Sequence, residues 1–480
     1  MTSTAVRDRS FLDRHFGITE RDSTVQREVR GGLATFFTMA YIIVLNPIIL
    51  AGAKDVNGDQ LSFVAVASST ALVAGLLTIG MGAIGRYPFA VAAGLGLNGV
   101  VAFSLAAQMT WPEAMGIVVL EGLAIVVLVI TGLREKVFHA IPLALKQSIS
   151  VGIGLFIALI GFVDAGFVRR TAVGPVPVEL GLGGRLQGWP TVVFAVGLLL
   201  TAVLVARRVR GGILIGILAT TAFALVLNAI VDVPASGGGE NPRGWQLNVP
   251  RLPENVVSAP DFSLLGAFSV TGSFVRVGVV TTVLLIFTLM LADFFDTMGT
   301  VVGVGSEAGL LDEDGRLPGV GRVLLVDSVA AVAGGAASCS SNTTYIESAA
   351  GVGEGARTGL ASLVTGALFL LAIFVAPLVQ IVPYEAASPA LVVVGFLLMT
   401  QVKHIPWDDY DIALPAFLTI VLMPFTYSIT NGIGAGFLSY VVIQAARGRA
   451  RDVHPLMWGI AALFVVYFAI EPVERLLGVR

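Results

Sequence analysis

Cysteine, histidine and charge are all scarce in this 480-residue chain. A single cysteine, Cys339, excludes an internal disulfide and any multi-cysteine metal site. The four histidines (His15, His139, His404, His454) are far apart and none sits in a His-Glu-x-x-His pattern, which excludes a metalloprotease built on that motif. There is no Walker A loop, so the chain carries no ATP-coupling element of its own, and no nucleophile–histidine pair points to an enzyme. Charged residues make up 13%, against roughly 25% in a soluble domain. The net charge of −3, without a basic face or aromatic-basic patch, gives no reason to expect nucleic acid. Nothing calls for a cofactor or a metal.

What is present is apolar. Hydrophobic residues reach 56%, and charge-free runs cover Gly31–Ala53, Leu61–Gly85, Tyr87–Pro112, Leu186–Ala206, Gly211–Val231, Ser328–Ile346 and Thr358–Tyr384. Each reaches the ~20 residues needed to cross a bilayer core about 30 Å thick, so the expected class is an all-α polytopic membrane protein. The 56 glycines are embedded among Val, Leu and Ile. There they let helices approach closely and let helices break near a binding site.

Spans are expected near 31–53, 61–85, 88–108, 112–131, 142–163, 188–206 and 211–231, then 276–304, 320–337, 339–352, 357–381, 385–402, 411–428 and 430–447. The layout divides into a cytoplasmic segment 1–30, a first membrane repeat 31–231, an external loop 232–275 and a second repeat 276–447. A basic loop with a further apolar segment follows in 448–480. With the N-terminus inside, the inside loops collect Arg86, Arg134, Lys136, Arg207, Arg208, Arg210, Arg316, Arg322, Arg357, Lys403, Arg447, Arg449 and Arg451. The outside loops hold fewer, as the positive-inside rule requires. The segment 455–470 either spans or lies at the interface.

Seven spans, a loop and seven more make two halves of opposite orientation. A faint echo joins them: Ile141-Pro142 with Ser150-Val-Gly-Ile-Gly154-Leu-Phe, and Val382-Pro383 with Leu391-Val-Val-Val-Gly395-Phe-Leu, at a constant offset of 241 residues. Two segments read as broken: Tyr87-Pro88 through Gly94-Leu-Gly96-Leu-Asn98-Gly99, and Ala336 through Ser-Ser-Asn342-Thr-Thr-Tyr. Each falls third in its half and reads as an extended stretch leading to a half-helix, a geometry tolerated at membrane depth only where it lines a cavity or is buried in protein.

Carboxylates at that depth cost roughly 2.5–3.5 kcal/mol on insertion scales, so Asp293, Asp296 and Glu347 are functional candidates. Half-helix N-termini offer free N–H groups, Asn98, Asn342, Thr343 and Thr344 add donors and acceptors, and Asp293 and Glu347 add acceptors, or donors when protonated. This set suits a flat, uncharged heterocycle with N–H and carbonyl edges. Asp296 reads as a supporting hydrogen bonder, and Glu121 and Asp327 as internal polar partners. Lys146 reads as a snorkelling span-end residue, and Cys339, Phe294 and Phe295 as packing residues. Buried carboxylates without a nucleotide loop favour coupling to protons, with Asp293 and Glu347 as candidates.

Gly94-Leu-Gly96-Leu-Asn98, Asp293-Phe-Phe-Asp296-Thr-Met-Gly-Thr and Thr344-Tyr-Ile-Glu347-Ser-Ala-Ala-Gly351-Val with Arg357-Thr-Gly resemble the AzgA-like purine permeases. That is the hypoxanthine/adenine/guanine branch of the nucleobase:cation symporter-2 (nucleobase–ascorbate transporter) family. The resemblance covers about residues 15–447. It implies fourteen helices as a seven-plus-seven inverted repeat, a core and a gate domain, short strands in the third and tenth segments, and a homodimer. It also implies binding residues at Gly96, Asn98, Asp293 and Glu347. The uracil and xanthine branch carries an Asn-x-Gly run after its tenth-segment acid, where Ser348-Ala-Ala-Gly stands here.

The expectation is a proton-coupled symporter importing purine nucleobases across the cell membrane by alternating access, with Gly96, Asn98, Asp293, Asn342, Thr343 and Glu347 at the site. The gate spans, about 142–231 and 385–447, would rock against the core. Alternatives are an anion exchanger or channel of the same architecture, which would need a basic residue at the site, a uracil/xanthine permease, and a membrane-embedded enzyme or receptor, which would need a catalytic set or a sizeable soluble domain.

Overall fold

Long apolar runs form helices here, and the breaks fall where small and polar residues interrupt them. The computed structural model describes residues 11–132, 141–171, 177–236, 241–246, 248–252, 257–312, 317–374, 378 and 381–476. Arg134, Lys136, His139 and Arg316 lie outside these, as does the side chain of Phe295. After a short helix at Phe11–Phe16, the first long helix begins at Val25, earlier than expected. Thr24 is the N-cap, its hydroxyl accepting the Arg27 N–H at 3.3 Å. α1 (Val25–Met39) and α2 (Ile42–Gly52) follow one another across a break at Ala40–Tyr41.

The first half continues with α3 (Phe63–Gly80), β1 (Val91–Ala93) and α4 (Leu95–Gly99), which a π-helical stretch extends to Leu105. α5 (Trp111–Ile130) and α6 (Leu143–Asp164) come next. A small hairpin of β2 (Val168–Arg170) and β3 (Val178–Leu180), absent from the sequence reading, precedes α7 (Trp189–Ala206) and α8 (Gly212–Val231). The second half repeats the order: α9 (Val279–Glu307), α10 (Val320–Ala336), β4 (Asn342–Thr344), α11 (Ser348–Gly353), α12 (Gly359–Ala372), α13 (Tyr384–Met399), α14 (Tyr410–Phe425) and α15 (Ile429–Ala446). The leftover apolar segment is the longer helix α16 (Pro455–Leu476), which packs on α15 and α9. Among the described residues, nine helices are long and apolar enough to cross a membrane, and four apolar helices are shorter.

The two halves interlock through an internal two-fold. β1 pairs antiparallel with β4, with Val91 opposite Thr344, Ala92 opposite Thr343 and Ala93 opposite Asn342. A two-stranded ribbon buried at membrane depth has outward backbone groups that water cannot satisfy. Side chains satisfy them instead. The Thr78 hydroxyl accepts from Val91 N–H at 2.9 Å and lies 3.0 Å from Val91 C=O. The Tyr345 hydroxyl donates to Ala93 C=O at 2.5 Å, and Asp327 accepts from Thr344 N–H at 2.8 Å.

One group of helices (α1–α5 with α9–α12) surrounds the ribbon, and a second (α6–α8 with α13–α15) packs beside it. In the second group α6 crosses α13 at the two glycines of the sequence echo. A Cβ on Gly154 would lie 2.5 Å from the Gly395 carbonyl oxygen, and a Cβ on Gly395 would strike the Gly154 carbonyl in turn. These contacts hold two backbones closer than any side chain permits.

Gly154→Ala should therefore lower the unfolding free energy by about 1–3 kcal/mol, the usual cost of overpacking. Gly321→Ala, where nothing lies within 4 Å of the new Cβ, should not. Thermal unfolding in detergent checks this, and equal melting temperatures for both variants would remove the glycine crossing as a constraint.

Candidate functional site

Between the two helix groups lies a cavity of about 100 Å³. Its first wall comes from the ribbon's neighbourhood: Tyr41, the Gly94–Leu97 turn, Ala292, Asp296 and Thr300 of α9, and Thr344–Glu347. The opposite wall is Ile149, Ser150 and Ile153 of α6 with Val394 and Leu398 of α13. Polar groups crowd the first wall, and Ser150 is the one polar side chain on the second. No lysine, arginine or histidine is among the lining residues.

The ribbon builds the polar wall. β1 ends at Ala93 and α4 begins at Leu95. The first intrahelical bond runs from Asn98 N–H to Gly94 C=O at 2.8 Å, which leaves the N–H groups of Leu95, Gly96 and Leu97 without helical acceptors. β4 ends at Thr344, and α11 closes from Ser348 onward, its N–H bonding Tyr345 C=O at 3.2 Å; Ile346 and Glu347 are likewise left without helical acceptors, the Glu347 N–H facing its own carboxyl. Two opposed helix starts thus direct N–H groups and positive dipole ends into one space. Glu347 stands in it half-buried, with its Oε1 accepting a hydrogen bond from the Tyr41 hydroxyl.

α9 presents two faces with different chemistry. Ala292, Asp296 and Thr300 are spaced by four residues and line the cavity. Asp293 and Thr297, one residue further round, point into the protein behind it. Asp293 is fully buried in side-chain contact with Glu121 and Thr343. Thr297 donates to Asp327 at 2.7 Å and shares a 2.7 Å hydrogen bond with Thr343. Asp327 further accepts from the Thr344 hydroxyl at 2.7 Å, and Glu121 accepts from Ser341 at 3.2 Å. Glu121 and Asp327 are thus internal polar partners in the geometry.

Of the residues singled out from sequence, Gly96, Asp296, Thr344 and Glu347 line the cavity. Asn98, Asp293, Asn342 and Thr343 form a second layer immediately behind, all fully buried. The Asn98 amide has no hydrogen-bond partner for its oxygen or its nitrogen among the described residues, so a fully buried amide stands unsatisfied one turn from the cavity. Asn342 donates to Ser340 C=O at 3.2 Å and lies 3.5 Å from Cys339 Sγ. Phe294 is buried in packing, and Lys146 is buried at the start of α6. Sequence reasoning missed Tyr41, Thr300 and Ser150 of the opposite wall, and gave Asp296 only a supporting part although it opens on the cavity. The four-residue spacing of Ala292, Asp296 and Thr300 carried a signal for two of these. Tyr41, about three hundred residues from Glu347 in sequence, carried none.

Comparison with known proteins identifies the lineage. The Permease family profile matches residues 26–435. The chain belongs to this family. It is 38% identical to the guanine/hypoxanthine permease PbuG of Bacillus subtilis, over 94% of this chain and 98% of that one. It is 36% identical to the adenine permease AdeP of Escherichia coli, over 97% of each. The AzgA-like resemblance read from the sequence is thus borne out. Among solved structures, the transmembrane domain of the cyanobacterial bicarbonate transporter BicA aligns with a TM-score of 0.59 at 16% identity, covering 86% of this chain and 97% of that one. The murine anion transporter Slc26a9, in an inward-facing state, aligns with a TM-score of 0.58 at 12% identity, covering 93% and 73%. At such identities the shared property is the inverted-repeat fold, not the cargo.

The cavity assignment is testable by thiol labelling of this permease. Ser150→Cys and Thr300→Cys should react with a small membrane-permeant thiol reagent, whereas native Cys339, fully buried, should not. Mass spectrometry of the intact protein reads this directly. An unreactive Thr300→Cys beside a reactive Cys339 would contradict the assigned faces.

Proposed function

We propose that this permease imports purine nucleobases together with protons, from the cell membrane and with its N-terminus in the cytoplasm. The observation that carries the reading is the asymmetry of the cavity. One wall offers two carboxylates, a tyrosine hydroxyl, threonine hydroxyls and the free N–H groups of two helix starts, and the other is almost entirely apolar. A flat neutral heterocycle satisfies both walls, with its polar edge toward Glu347 and Asp296 and its face against Ile153 and Val394. The relatives named for guanine, hypoxanthine and adenine support the same cargo class.

In this reading Gly96 offers backbone N–H, Glu347 accepts from the purine edge, and Tyr41 fixes the Glu347 rotamer. Asn98, Asp293, Asn342 and Thr343 hold the two helix starts from behind, and Asn98, with an unspent amide, adjusts the polar edge that the cavity presents. The apolar gate wall slides or rocks across the polar wall to alternate access. An anion exchanger of the same architecture is disfavoured, because an anion meeting Asp296 and Glu347 with no cation at hand would be repelled.

Adenine, guanine and hypoxanthine should compete with radiolabelled hypoxanthine for uptake, and uracil should compete poorly. Hydrogen bonds to charged groups contribute about 1.5–3 kcal/mol, so Glu347→Gln should weaken purine affinity by about tenfold to a hundredfold while the protein still folds. Normal affinity in that variant would move the site elsewhere.

Asn98→Ala should change the rank order among the three purines, because a site that hydrogen-bonds a group rejects analogues lacking it. Competitive uptake with expression measured alongside decides this, and an unchanged order would remove Asn98 from specificity.

A further inference from the structure

Three carboxyls lie together behind the cavity, and their hydrogen bonds are distributed unequally. Asp327 receives the Thr344 N–H at 2.8 Å, the Thr344 hydroxyl at 2.7 Å and the Thr297 hydroxyl at 2.7 Å. A hydroxyl has one proton to give. Thr297 spends its proton on Asp327, so its 2.7 Å contact with Thr343 is a bond donated by Thr343. Thr343 therefore has no proton left for Asp293, although its side chain touches that carboxyl. Neither Asp293 oxygen has a donor among the described residues, and Glu121 has one, the Ser341 hydroxyl at 3.2 Å.

Glu121 and Asp293 are both fully buried, with their carboxyls in side-chain contact with each other. An ionised carboxylate only accepts, so two carboxyls bond to each other only when at least one carries a proton. The titratable groups facing the pair are each other, from α5 and α9, and Asp327 from α10; no cation appears among them. Charge belongs where the donors are, on Asp327. The proton belongs where they are missing.

We propose that Glu121 and Asp293 are the proton-carrying pair of this transporter, one layer behind the substrate cavity, with Glu121 as a coupling residue in its own right. The proposal rests on the proton-coupled reading given above. The step is a proton transfer alone: a proton arrives on the pair, is shared between the two carboxyls, and departs on the other side of the membrane. Its link to the cavity is the hydroxyl chain. When the pair loses its proton, two negative charges face each other in a donor-poor space, and the nearest donor for Asp293 is the Thr343 hydroxyl. Turning that hydroxyl breaks the Thr343–Thr297 bond and leaves Thr297 held by its bond to Asp327 alone. Asp327 holds Thr344, and Thr344 lines the cavity. Proton occupancy thereby changes the wall that the purine touches.

The test uses the full chain in proteoliposomes with hypoxanthine as probe. Counterflow without an ion gradient measures exchange, and accumulation under an imposed inward pH gradient measures coupling. Glu121→Gln should keep counterflow within about threefold of wild type while accumulation falls about tenfold or more, because the variant holds no exchangeable proton there. The infrared band of a buried protonated carboxyl should also weaken in the variant. Full pH-driven accumulation by Glu121→Gln, or an unchanged band, overturns the proposal.

Should Glu121→Gln fail to fold, Ser341→Ala gives a second arm. Removing the one donor to Glu121 makes its charged form less favourable, so the pH profile of accumulation should move upward by about one unit. An unmoved profile overturns the proposal. A wild type that exchanges purine but ignores the pH gradient defeats the coupling reading and this proposal with it. A wild type that does not exchange purine defeats the cargo assignment. A pH-driven wild type with an equally driven Glu121→Gln counts against the pair alone.

Discussion

A chain that leaves helical geometry inside a membrane must find a partner for every N–H and C=O it exposes, and this constraint organises the centre of the protein. β1 and β4 meet it on their inner edges by pairing with each other and on their outer edges by recruiting Thr78, Tyr345 and Asp327. Each unpaired group would cost several kcal/mol in a lipid-like interior, so these side chains are conditions for the ribbon to exist. The ribbon in turn ends two helices at the same depth with opposite polarity. Their unspent N–H groups face one cavity because the strands that precede them are antiparallel.

The helix α9 separates a cavity face from a supporting face by rotation alone. One residue of helix is about 100°, so Asp293 and Asp296, three apart, are near neighbours that still look into different surroundings. Asp296 shares the cavity face with Ala292 and Thr300, while Asp293 shares the inner face with Thr297. The inner face joins the network that holds the ribbon, through Thr343 and Asp327. A change in charge on Asp293 would therefore be felt by the backbone that shapes the cavity, although Asp293 does not line it.

Much of this was legible in the sequence, for identifiable reasons. The helical class and the order of the apolar segments followed from charge-free runs, while fourteen spans were expected and nine helices long enough to cross a membrane, with four shorter apolar ones, stand among the described residues. The two broken segments followed from small and polar residues where an unbroken helix would be expected, and they are where β1 and β4 lie. The Gly154–Gly395 echo was the faintest signal and has the most direct structural counterpart, since the two glycines face each other across the internal two-fold. The phase of α9 was not legible, because two acids three apart define a stripe but not which of its edges meets solvent. Tyr41 was hidden because its partner Glu347 lies in the other half of the chain. The β2–β3 hairpin escaped because its short strands, such as Val168-Arg-Arg170, carry no alternation that distinguishes them from loop.

The division of the cavity into a polar and an apolar wall has a mechanical consequence. A wall bound to its solute by directional hydrogen bonds cannot move relative to that solute without breaking them, at a cost of about 0.5–1.5 kcal/mol for each neutral bond and more where a charge takes part. An apolar wall has no such registry, and dispersion contacts are remade after a shift of an ångström or two. In the alternating-access proposal, with Ile149, Ile153, Val394 and Leu398 on the apolar wall, the gate would pass over a bound solute while the polar wall keeps hold of it. The gate itself is braced for such movement as a unit, because its two central helices are locked backbone to backbone at Gly154 and Gly395. Rigidity within the gate and slipperiness at its face are two results of the same choice of side chains, glycine at the crossing and branched aliphatics at the cavity.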